Sequence, residues 1–326
     1  MKDFIVITSI YKASQAILSL SKLPEKNVIV VGDKKTPKNW SAKGVKFIPI
    51  EEQLAIGPNL FKHAPYNHYS RKMFGYIYAA RNNAKVIIDT DDDNIPLDNY
   101  GFPPFSGNFK SVKHPLGFVN IYQYYTDKHI WPRGLPLNLI SKKFSFEFEE
   151  SFFEKQVGVW QGLADIDPDV DSLYRLILNE ECFFNKAEPI ILSEGVISPF
   201  NSQNTAFRKD LFPLLYLPSS VTFRFTDILR GLIAQPIMWL YGYKLGFLEA
   251  TVKQERNYHN LMEDFRSEVP MYLYGEKITE LVQSVINGSD SMENNIFNSY
   301  IKLAKEDMVN ESELKALEGW LKDLIS

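Results

Sequence analysis

The stretch Val86-Ile-Ile-Asp-Thr-Asp-Asp-Asp-Asn94 decides the fold that this sequence predicts. Its short apolar run ends abruptly in four carboxylates, at Asp89, Asp91, Asp92 and Asp93. Like charges this close repel by ~1 kcal/mol per pair even in water, so a strand that ends in them is expected to hold a cation. Carboxylate oxygens favour Mg²⁺, Mn²⁺ or Ca²⁺ over zinc. The stretch therefore predicts a buried strand that presents a divalent metal at its carboxyl end.

Two other interpretations of this acidic cluster compete with a metal site of that kind. Asp and Asn are ordinary turn residues, so a solvated acidic turn stays open as an alternative. An EF-hand loop would use Asp89, Asp91 and Asp93 as its first three ligands. That loop requires Gly at its sixth position and Glu at its twelfth, where this chain has Asn94 and Tyr100. The EF-hand is therefore excluded.

The segments that precede the cluster alternate between strand and helix patterns. Strands are predicted at Phe4–Ile10, Val28–Val31, Val45–Ile50 and Lys85–Asp89, and helices at Ala13–Leu20 and Tyr69–Asn83. This alternation is typical of an α/β fold with a Rossmann-like, mixed and mostly parallel sheet that has helices on both faces. In such sheets ligands bind beyond the carboxyl ends of the strands, where Ser9, Asp33 and the acidic cluster fall. We therefore expect these polar strand ends to converge on one crevice.

The later part of the chain changes character twice. Residues 95–145 are rich in proline and glycine, which predicts loops and short strands that form the wall of a site. Helical periodicity returns at Phe223–Trp239, and residues 290–326 predict two closing helices. The second of these has Asn310 and Glu313 in the spacing of a capping box. This tail is expected to serve packing rather than chemistry.

The composition indicates a large, mildly acidic globular protein. The 326 residues are 45% hydrophobic, which is ample for a sizeable core. A net charge of −4 without a basic tract argues against nucleic acid as a partner. The single cysteine, Cys182, excludes a disulfide framework and suits a reducing compartment. Because no segment reaches 18 apolar residues and no signal peptide is visible, we expect no transmembrane segment and a cytoplasmic location.

Several enzyme classes are disfavoured by motifs that the sequence lacks. It contains no Gly-x-Gly-x-x-Gly, Walker A, His-Glu-x-x-His or Gly-x-Ser-x-Gly pattern. Each of these motifs supplies a defined piece of chemistry, such as a phosphate cradle or a zinc site. Dinucleotide oxidoreductases, P-loop ATPases, zinc proteases and serine hydrolases are therefore poor candidates.

Motifs spread over residues 4–270 resemble the STELLO family of glycosyltransferase-like proteins. The matching stretches are Val30–Pro37, Pro65–Lys72 with Gly75 and Tyr76, Ile88–Asn94, Trp131–Leu137, Gln161–Gly162, Asp167–Ser172, Pro199–Thr205, Asp227–Gly231, Arg256–His259 and Asp264–Phe265. The run Trp-Pro-Arg-Gly-Leu-Pro-Leu is highly specific, whereas the acidic cluster alone is not. Plant members carry an amino-terminal membrane anchor, whereas we expect this chain to lack one and to start directly at the catalytic-type domain. The resemblance therefore implies a soluble form with a GT-A type fold.

The resemblance implies a metal-dependent glycosyltransferase with Mn²⁺ or Mg²⁺ as its cofactor. Residues 1–95 would form the donor-binding half of a GT-A domain, residues 96–275 its acceptor-binding half, and residues 276–326 a C-terminal helical extension. The expected partners are an activated sugar donor and a glycan or lipid-linked glycan acceptor, in surface-polysaccharide assembly. A nucleotide sugar is the default donor, and phosphoribosyl diphosphate is a variant because it also carries a diphosphate on an anomeric carbon. Assembly into a homo-oligomer is left open.

The metal ligands follow from the same resemblance. Asp89 and Asp91 form the Asp-x-Asp pair that meets the donor and the metal in GT-A enzymes. Asp93 is expected to be a further ligand or a base that faces the acceptor. His259 is the third ligand that the family pattern implies, and Asp92 is the member of the cluster that best suits a simple turn carboxylate.

Five residues are assigned to donor binding. Ser9 and Asp33 lie at strand ends, and the resemblance places Asp33 opposite the nucleobase, although a simple Gly-Asp turn remains open. Arg71 and Lys72 open the helix before the metal strand, where cations could neutralise phosphates unless they are solvated at the surface. Arg133 lies between a rigid Pro and a permissive Gly, which suggests a held guanidinium aimed at an anion rather than a structural ion pair.

The catalytic base is expected to be a carboxylate. Asp227 lies near a predicted helix start, where GT-A enzymes often place the residue that deprotonates the acceptor, although the helix dipole alone could explain an Asp there. Asp169, Asp171 and Asp93 compete with it. Two other function classes stay open. One is a non-catalytic scaffold that binds a protein partner, and the other is a sugar-nucleotide mutase such as the reversibly glycosylated plant polypeptides.

Overall fold

The computed structural model describes residues 3–113, 117–149, 154–255 and 260–325. The strands are β1 (Asp3–Thr8), β2 (Lys26–Val31), β3 (Val45–Ile48), β4 (Val86–Thr90), β5 (Asn94–Pro96), β6 (Ser106–Gly107), β7 (Lys110–Lys113), β8 (Gly117–Phe118), β9 (Glu147–Glu149), β10 (Lys155–Asp165), β11 (Ile190–Leu192), β12 (Val196–Ile197), β13 (Asn204–Arg208) and β14 (Tyr243–Gln254). The α-helices are α1 (Gln15–Leu20), α2 (Ile50–Ile56), α3 (Met73–Arg81), α4 (Tyr122–Tyr125), α5 (Ser172–Ile177), α6 (Thr226–Leu240), α7 (Leu261–Gln283), α8 (Met292–Lys305) and α9 (Ser312–Ile325). Within these described ranges, no helix combines the length and the apolar character needed to cross a membrane.

One large mixed sheet organises the molecule. Its main strand order is β3-β2-β1-β4-β13-β10-β14-β11-β7-β9. The first four of these strands run parallel to one another, and β13 runs antiparallel to both β4 and β10. The pairing between β10 and β14 is parallel again. The predicted α/β fold class with a mixed sheet is therefore confirmed.

Helices cover both faces of this sheet because alternate side chains of each strand point to opposite sides. Ile5 and Ile7 of β1 belong to a core cluster that also contains Ile17 of α1. Val6 belongs to the second, larger cluster, on the face that carries α3. A Cβ atom on Gly75 of α3 would lie 2.4 Å from a methyl group of Val6, so only glycine allows this helix to pack so closely on the sheet.

The last helix packs back onto earlier loops. The buried carboxylate of Asp323 accepts hydrogen bonds from the backbone N–H groups of Asn59 and Leu60, at 2.9 and 2.7 Å. Glu313 accepts from the backbone N–H groups of Ser219 and Ser220, at 2.9 and 2.6 Å. The predicted capping box is therefore wrong, because the Glu313 carboxylate binds another loop instead of its own helix start. The division into two halves and an extension stays a prediction.

Candidate active site

A cavity of about 450 Å³ lies at the carboxyl ends of β1, β2 and β4. Ser9 lines it after β1, Asp33 after β2, and Asp91, Asp92 and Asp93 after β4. Further lining residues come from the loops before α3, after β10 and at the start of α6, including His68, Tyr69, Arg71, Arg133, Asp169, Arg175, Phe223, Arg224 and Asp227. The predicted convergence of polar strand ends on one crevice is confirmed, since parallel strands deliver their carboxyl ends to one edge.

Asp89 lies beneath this cavity rather than in its wall. Its side chain is fully buried, and its Oδ1 lies 2.7 Å from Nζ of Lys72. Its Oδ2 lies 2.7 Å from Nη1 of Arg230 and accepts a 2.5 Å hydrogen bond from the hydroxyl of Ser202. Both oxygens therefore already bind protein groups. This arrangement favours a structural role for Asp89 over the expected contact with metal and donor.

Asp91 is the carboxylate that reaches the cavity. Its side chain is 37% exposed, and its Oδ1 lies 3.1 Å from Nζ of Lys72. Removal from bulk water raises the pKa of Asp91 to about 7, with Asp93 and Asp89 adding to the effect and Lys72 opposing it. A cation that approached from the cavity would relieve this cost. Asp91 is thus the best-placed metal ligand among the described carboxylates.

Asp92 and Asp93, which follow Asp91 in the chain, also line the cavity. Asp92 accepts a 2.5 Å hydrogen bond from the hydroxyl of Ser9, and burial raises the pKa of Asp92. Asp93 accepts a 3.0 Å hydrogen bond from the amide of Gln254. Their hard oxygen atoms suit Mg²⁺ or Mn²⁺. Among the described residues, however, no three His, Cys, Asp or Glu side chains group as a metal site, and the predicted ligand His259 lies outside those residues.

Arg71 lines the cavity although nearly all of its surface is buried. Its side chain is buried, with Nε donating to the side chain of Gln53 at 2.8 Å and Nη1 donating to the carbonyl of Ala64 at 3.1 Å. Its Nη2 has no hydrogen-bond partner among the described residues, and burial lowers the pKa of Arg71. The second cation, Lys72, does not line the cavity. Burial lowers the pKa of Lys72, but Asp89 and Asp91 outweigh it and raise the pKa overall. The assignment of Lys72 to donor phosphates is therefore corrected: its partners are the carboxylates.

Asp33 connects two loops at the β2 end of the cavity. One of its oxygens accepts from the backbone N–H of Lys34 at 2.7 Å, and the other accepts from that of His68 at 3.2 Å. The bond from Lys34 is local to the Gly-Asp turn, whereas the bond from His68 joins this turn to the loop before α3. Asp33 remains in the cavity wall. The nucleobase contact expected for Asp33 stays a prediction.

Arg133 binds two of the protein's own carboxylates. Its Nε and Nη2 donate to Asp169 at 2.8 and 2.7 Å, and its Nη1 and Nη2 donate to Asp227 at 3.0 and 2.8 Å. Nη1 also donates to the carbonyl of Arg224. These contacts use all five N–H groups of a guanidinium. The expected donor contact of Arg133 is therefore corrected: the loop holds its guanidinium, as predicted, but the anions it binds are internal.

Asp227 lies in the first turn of α6 and lines the cavity with 7% of its surface exposed. The backbone N–H of Ser202 donates to its Oδ2 at 3.1 Å, beside the two bonds from Arg133. Burial raises the pKa of Asp227, but the cationic Arg133 outweighs burial and lowers the pKa to about 2. A carboxylate with so low a pKa is a weak proton acceptor at neutral pH.

Asp171 has a different role from the one expected. It is the N-cap of α5, where its Oδ1 accepts from the backbone N–H of Tyr174 at 2.8 Å. Its Oδ2 accepts from the indole N–H of Trp131 at 2.8 Å. The side chain is fully buried and does not line the cavity, and burial raises the pKa of Asp171 to about 6. The assignment of Asp171 to catalysis is therefore corrected to a helix cap.

Sequence reasoning missed several residues in the cavity wall. The Nδ1 atom of His68 accepts from the backbone N–H of Ser70 at 3.0 Å, so a neutral ring carries its proton on Nε2. Within the described ranges the hydroxyl of Tyr69 has no hydrogen-bond partner. The Tyr69 ring lies 5.7 Å from that of Phe223, which is 56% exposed. Arg175 pairs with Asp167. No spacing signal marks these residues, although His68 and Tyr69 belong to the Pro65–Lys72 motif.

Comparison with known proteins supports the family resemblance. The family model described as STELLO glycosyltransferases matches residues 224–326. Two Arabidopsis thaliana proteins, named "Probable glycosyltransferase STELLO1" and "Probable glycosyltransferase STELLO2", are 27% and 25% identical to this chain. The alignments cover 100% and 99% of this chain but only 44% and 45% of those proteins. The resemblance is thus confirmed, and the chain spans less than half the length of these relatives.

Solved structures show only distant similarity. One is glucosyl-3-phosphoglycerate synthase from Mycobacterium tuberculosis in complex with Mn²⁺ and uridine-diphosphate-glucose, with a TM-score of 0.41 and 12% identity over 88% of this chain and 80% of that one. Another is S. aureus TarS, with a TM-score of 0.33 and 12% identity over 93% of this chain and 44% of that one. At scores this low, the fold assignment rests on the observed strand order.

Proposed function

We propose that this chain, a relative of the STELLO glycosyltransferases, is a metal-dependent glycosyltransferase of the GT-A type. The observation that carries the proposal is the cavity whose wall contains Asp91, Asp92 and Asp93 together with Asp33 and Arg71, whose Nη2 lacks a hydrogen-bond partner among the described residues. Carboxylate oxygens suit a divalent cation, and a buried guanidinium N–H suits a polar or anionic donor group. A bound Mg²⁺ or Mn²⁺ would act as a Lewis acid that stabilises a departing diphosphate.

Asp91 and Asp93 are the residues that would hold the metal. Both line the cavity, and Asp91 keeps part of its carboxylate exposed there. Asp89 would fix the strand end from below through its buried ion pairs with Lys72 and Arg230. The family pattern adds His259 as a further ligand.

The donor would extend from the metal towards the end of β2. A cavity of about 450 Å³ is within the usual range for small-molecule sites, roughly 300–1,000 Å³. Besides the acidic cluster, its wall includes Gly32, Asp33 and Arg71 near the end of β2, where a further part of the donor could lie. This extra space favours a nucleotide sugar over phosphoribosyl diphosphate.

The acceptor would enter beside Asp169 and Asp227. Its hydroxyl oxygen forms the new bond to the anomeric carbon, while the bond to the diphosphate oxygen breaks and its electron pair leaves with the diphosphate. The hydroxyl proton passes to a carboxylate, and Asp227 and Asp169 are the two that line this side of the cavity. The lowered pKa of Asp227 weakens it as the acceptor of this proton. Arg133 holds both side chains in place through ion pairs. Phe223, exposed at the wall, offers a face for a sugar ring of a glycan acceptor.

A ligand panel tests this proposal. The unfolding temperature would be measured with nucleotide sugars, nucleoside diphosphates and phosphoribosyl diphosphate, each with and without Mn²⁺. We expect a nucleotide sugar to raise it in the presence of Mn²⁺ only, and Asp91→Asn to remove the effect. Asp98→Asn, at an exposed position outside the cavity, is the control and should behave as wild type. No stabilisation by any donor with Mn²⁺ would contradict the proposal.

A further inference from the structure

Lys72 is a fully buried cation within the acidic cluster. Its Nζ lies 2.7 Å from Oδ1 of Asp89 and 3.1 Å from Oδ1 of Asp91. The ring centroid of Tyr69 lies 5.0 Å from the same Nζ, close enough for a cation–π contact. Lys72 therefore contacts the cluster from the protein side, whereas Asp91 lines the cavity.

The backbone fixes this cation in place. Lys72 ends the short 3₁₀ helix Tyr69–Lys72 and leads directly into α3. That helix is seated on the sheet by the close contact of Gly75 with Val6. A surface lysine can swing its ammonium into water, but Lys72, with no exposed surface, stays beside Asp89 and Asp91.

Two internal cations pair with the acidic cluster within the described part of the chain. Four carboxylates lie between positions 89 and 93. Lys72 pairs with two of them, and Arg230 adds a second pair to Asp89 at 2.7 Å. A divalent ion at Asp91 would therefore meet a partly offset negative charge and a nearby ammonium that repels it.

We propose that Lys72 is a resident counter-ion that keeps the acidic cluster from binding a divalent metal tightly on its own. The metal would then bind together with the donor diphosphate, whose oxygens supply the missing charge and ligands. The part about the donor rests on the proposed function. The part about the metal alone does not, because it concerns only Lys72 and the carboxylates that it touches.

Mn²⁺ binding without any donor tests the inference. The full chain would be titrated with Mn²⁺, with free Mn²⁺ followed by electron paramagnetic resonance, as wild type, Lys72→Gln, Lys72→Met and Lys72→Arg. We expect both neutral variants to bind Mn²⁺ at least tenfold more tightly than wild type. Lys72→Arg keeps the charge and should resemble wild type. Damage to folding would weaken binding rather than tighten it, so unchanged or weaker affinity in a folded neutral variant overturns the inference.

If neither neutral variant folds, a measurement on the wild type tests whether Mn²⁺ binding depends on a diphosphate. Protein-bound Mn²⁺ would be measured by equilibrium dialysis at one fixed free Mn²⁺ concentration, with and without inorganic pyrophosphate. At least tenfold tighter Mn²⁺ binding with pyrophosphate supports the inference, and equal binding overturns it. Failure of every nucleotide sugar to bind would count against the proposed function alone, because neither measurement needs a nucleotide.

Discussion

The guanidinium of Arg133 binds both oxygens of Asp227, with Nη1 3.0 Å from Oδ1 and Nη2 2.8 Å from Oδ2. It binds Asp169 in the same bidentate way. One buried cation therefore holds two carboxylates on the acceptor side of the cavity. Arg224, which lies 3.9 Å from Asp169, is the next cation of this group.

Replacing Arg133 should destabilise the fold. Arg133→Met leaves two largely buried carboxylates without their cation, and loss of one partner of a buried ion pair costs ~3–5 kcal/mol. Arg133→Lys keeps the charge without the planar fork and should fall between Met and wild type. Urea unfolding measures the free energies. Arg208→Met, which breaks a more exposed pair with Asp210, is the control and should cost about 1 kcal/mol or less. Equal stability of the two Met variants would contradict the network.

The base is tested by comparing Asp227→Asn with Asp169→Asn. If one of them accepts the acceptor's proton, its amide variant should lose ~10²–10⁴ in turnover, the usual share of general-base catalysis. Affinity for the donor with Mn²⁺ should change little, because the proposed metal ligands are Asp91 and Asp93. Initial rates and donor titrations measure the two quantities. Near-normal turnover in both variants would remove this pair from the mechanism and leave Asp93 as the candidate.

Asp227 should also make the free energy of unfolding depend on pH. Its folded-state pKa, about 2, lies below the unfolded value of roughly 3.9, so the ionised form stabilises the fold. That stabilisation is fully present well above pH 4 and is lost as the pH falls from about 5 towards 2, and it amounts to ~2–3 kcal/mol. Urea unfolding between pH 5 and pH 2 should show this loss in the wild type and a shallower one in Asp227→Asn. Identical slopes would contradict the pairing with Arg133.

The contact between α9 and the loop before α3 gives a fourth prediction. Asp323→Ala should cost ~3 kcal/mol, because it leaves the part-buried N–H of Asn59 and the buried N–H of Leu60 without their acceptor. Glu318→Gln, on the exposed side of the same helix, removes only a surface pair with Lys322 and should cost less than about 1 kcal/mol. Urea unfolding compares the two. A small effect of Asp323→Ala would show that the loop does not depend on this helix.

Local sequence patterns were sufficient to predict the strands that form the cavity. Apolar runs bounded by turn residues located β1, β2 and β4, and parallel pairing brings their ends together. Ser9, Asp33 and Asp91 therefore follow from sequence, since each comes directly after a strand end. The α/β class rests on the same alternation.

The partners of charged residues could not be predicted from local sequence patterns, because the two members of an ion pair lie far apart along the chain. Arg133 meets carboxylates 36 and 94 positions away, and the Pro-Arg-Gly motif predicts a held guanidinium without saying what it binds. Lys72 and Asp171 could not be placed from local sequence either. Lys72 was expected to bind phosphate but is buried against Asp89, and Asp171 was expected to act as a base but caps a helix. Glu313 matched a local capping pattern, yet it binds a loop more than 90 residues earlier.

Slow hydrolysis of the donor shows whether transfer from a nucleotide sugar depends on a metal at Asp91. Release of nucleoside diphosphate from each nucleotide sugar would be followed without acceptor, so that water takes the sugar. We expect release from at least one donor with Mn²⁺, and none with EDTA or in Asp91→Asn. No release from any donor with Mn²⁺, or equal release in EDTA or in Asp91→Asn, would contradict metal-dependent transfer at this site.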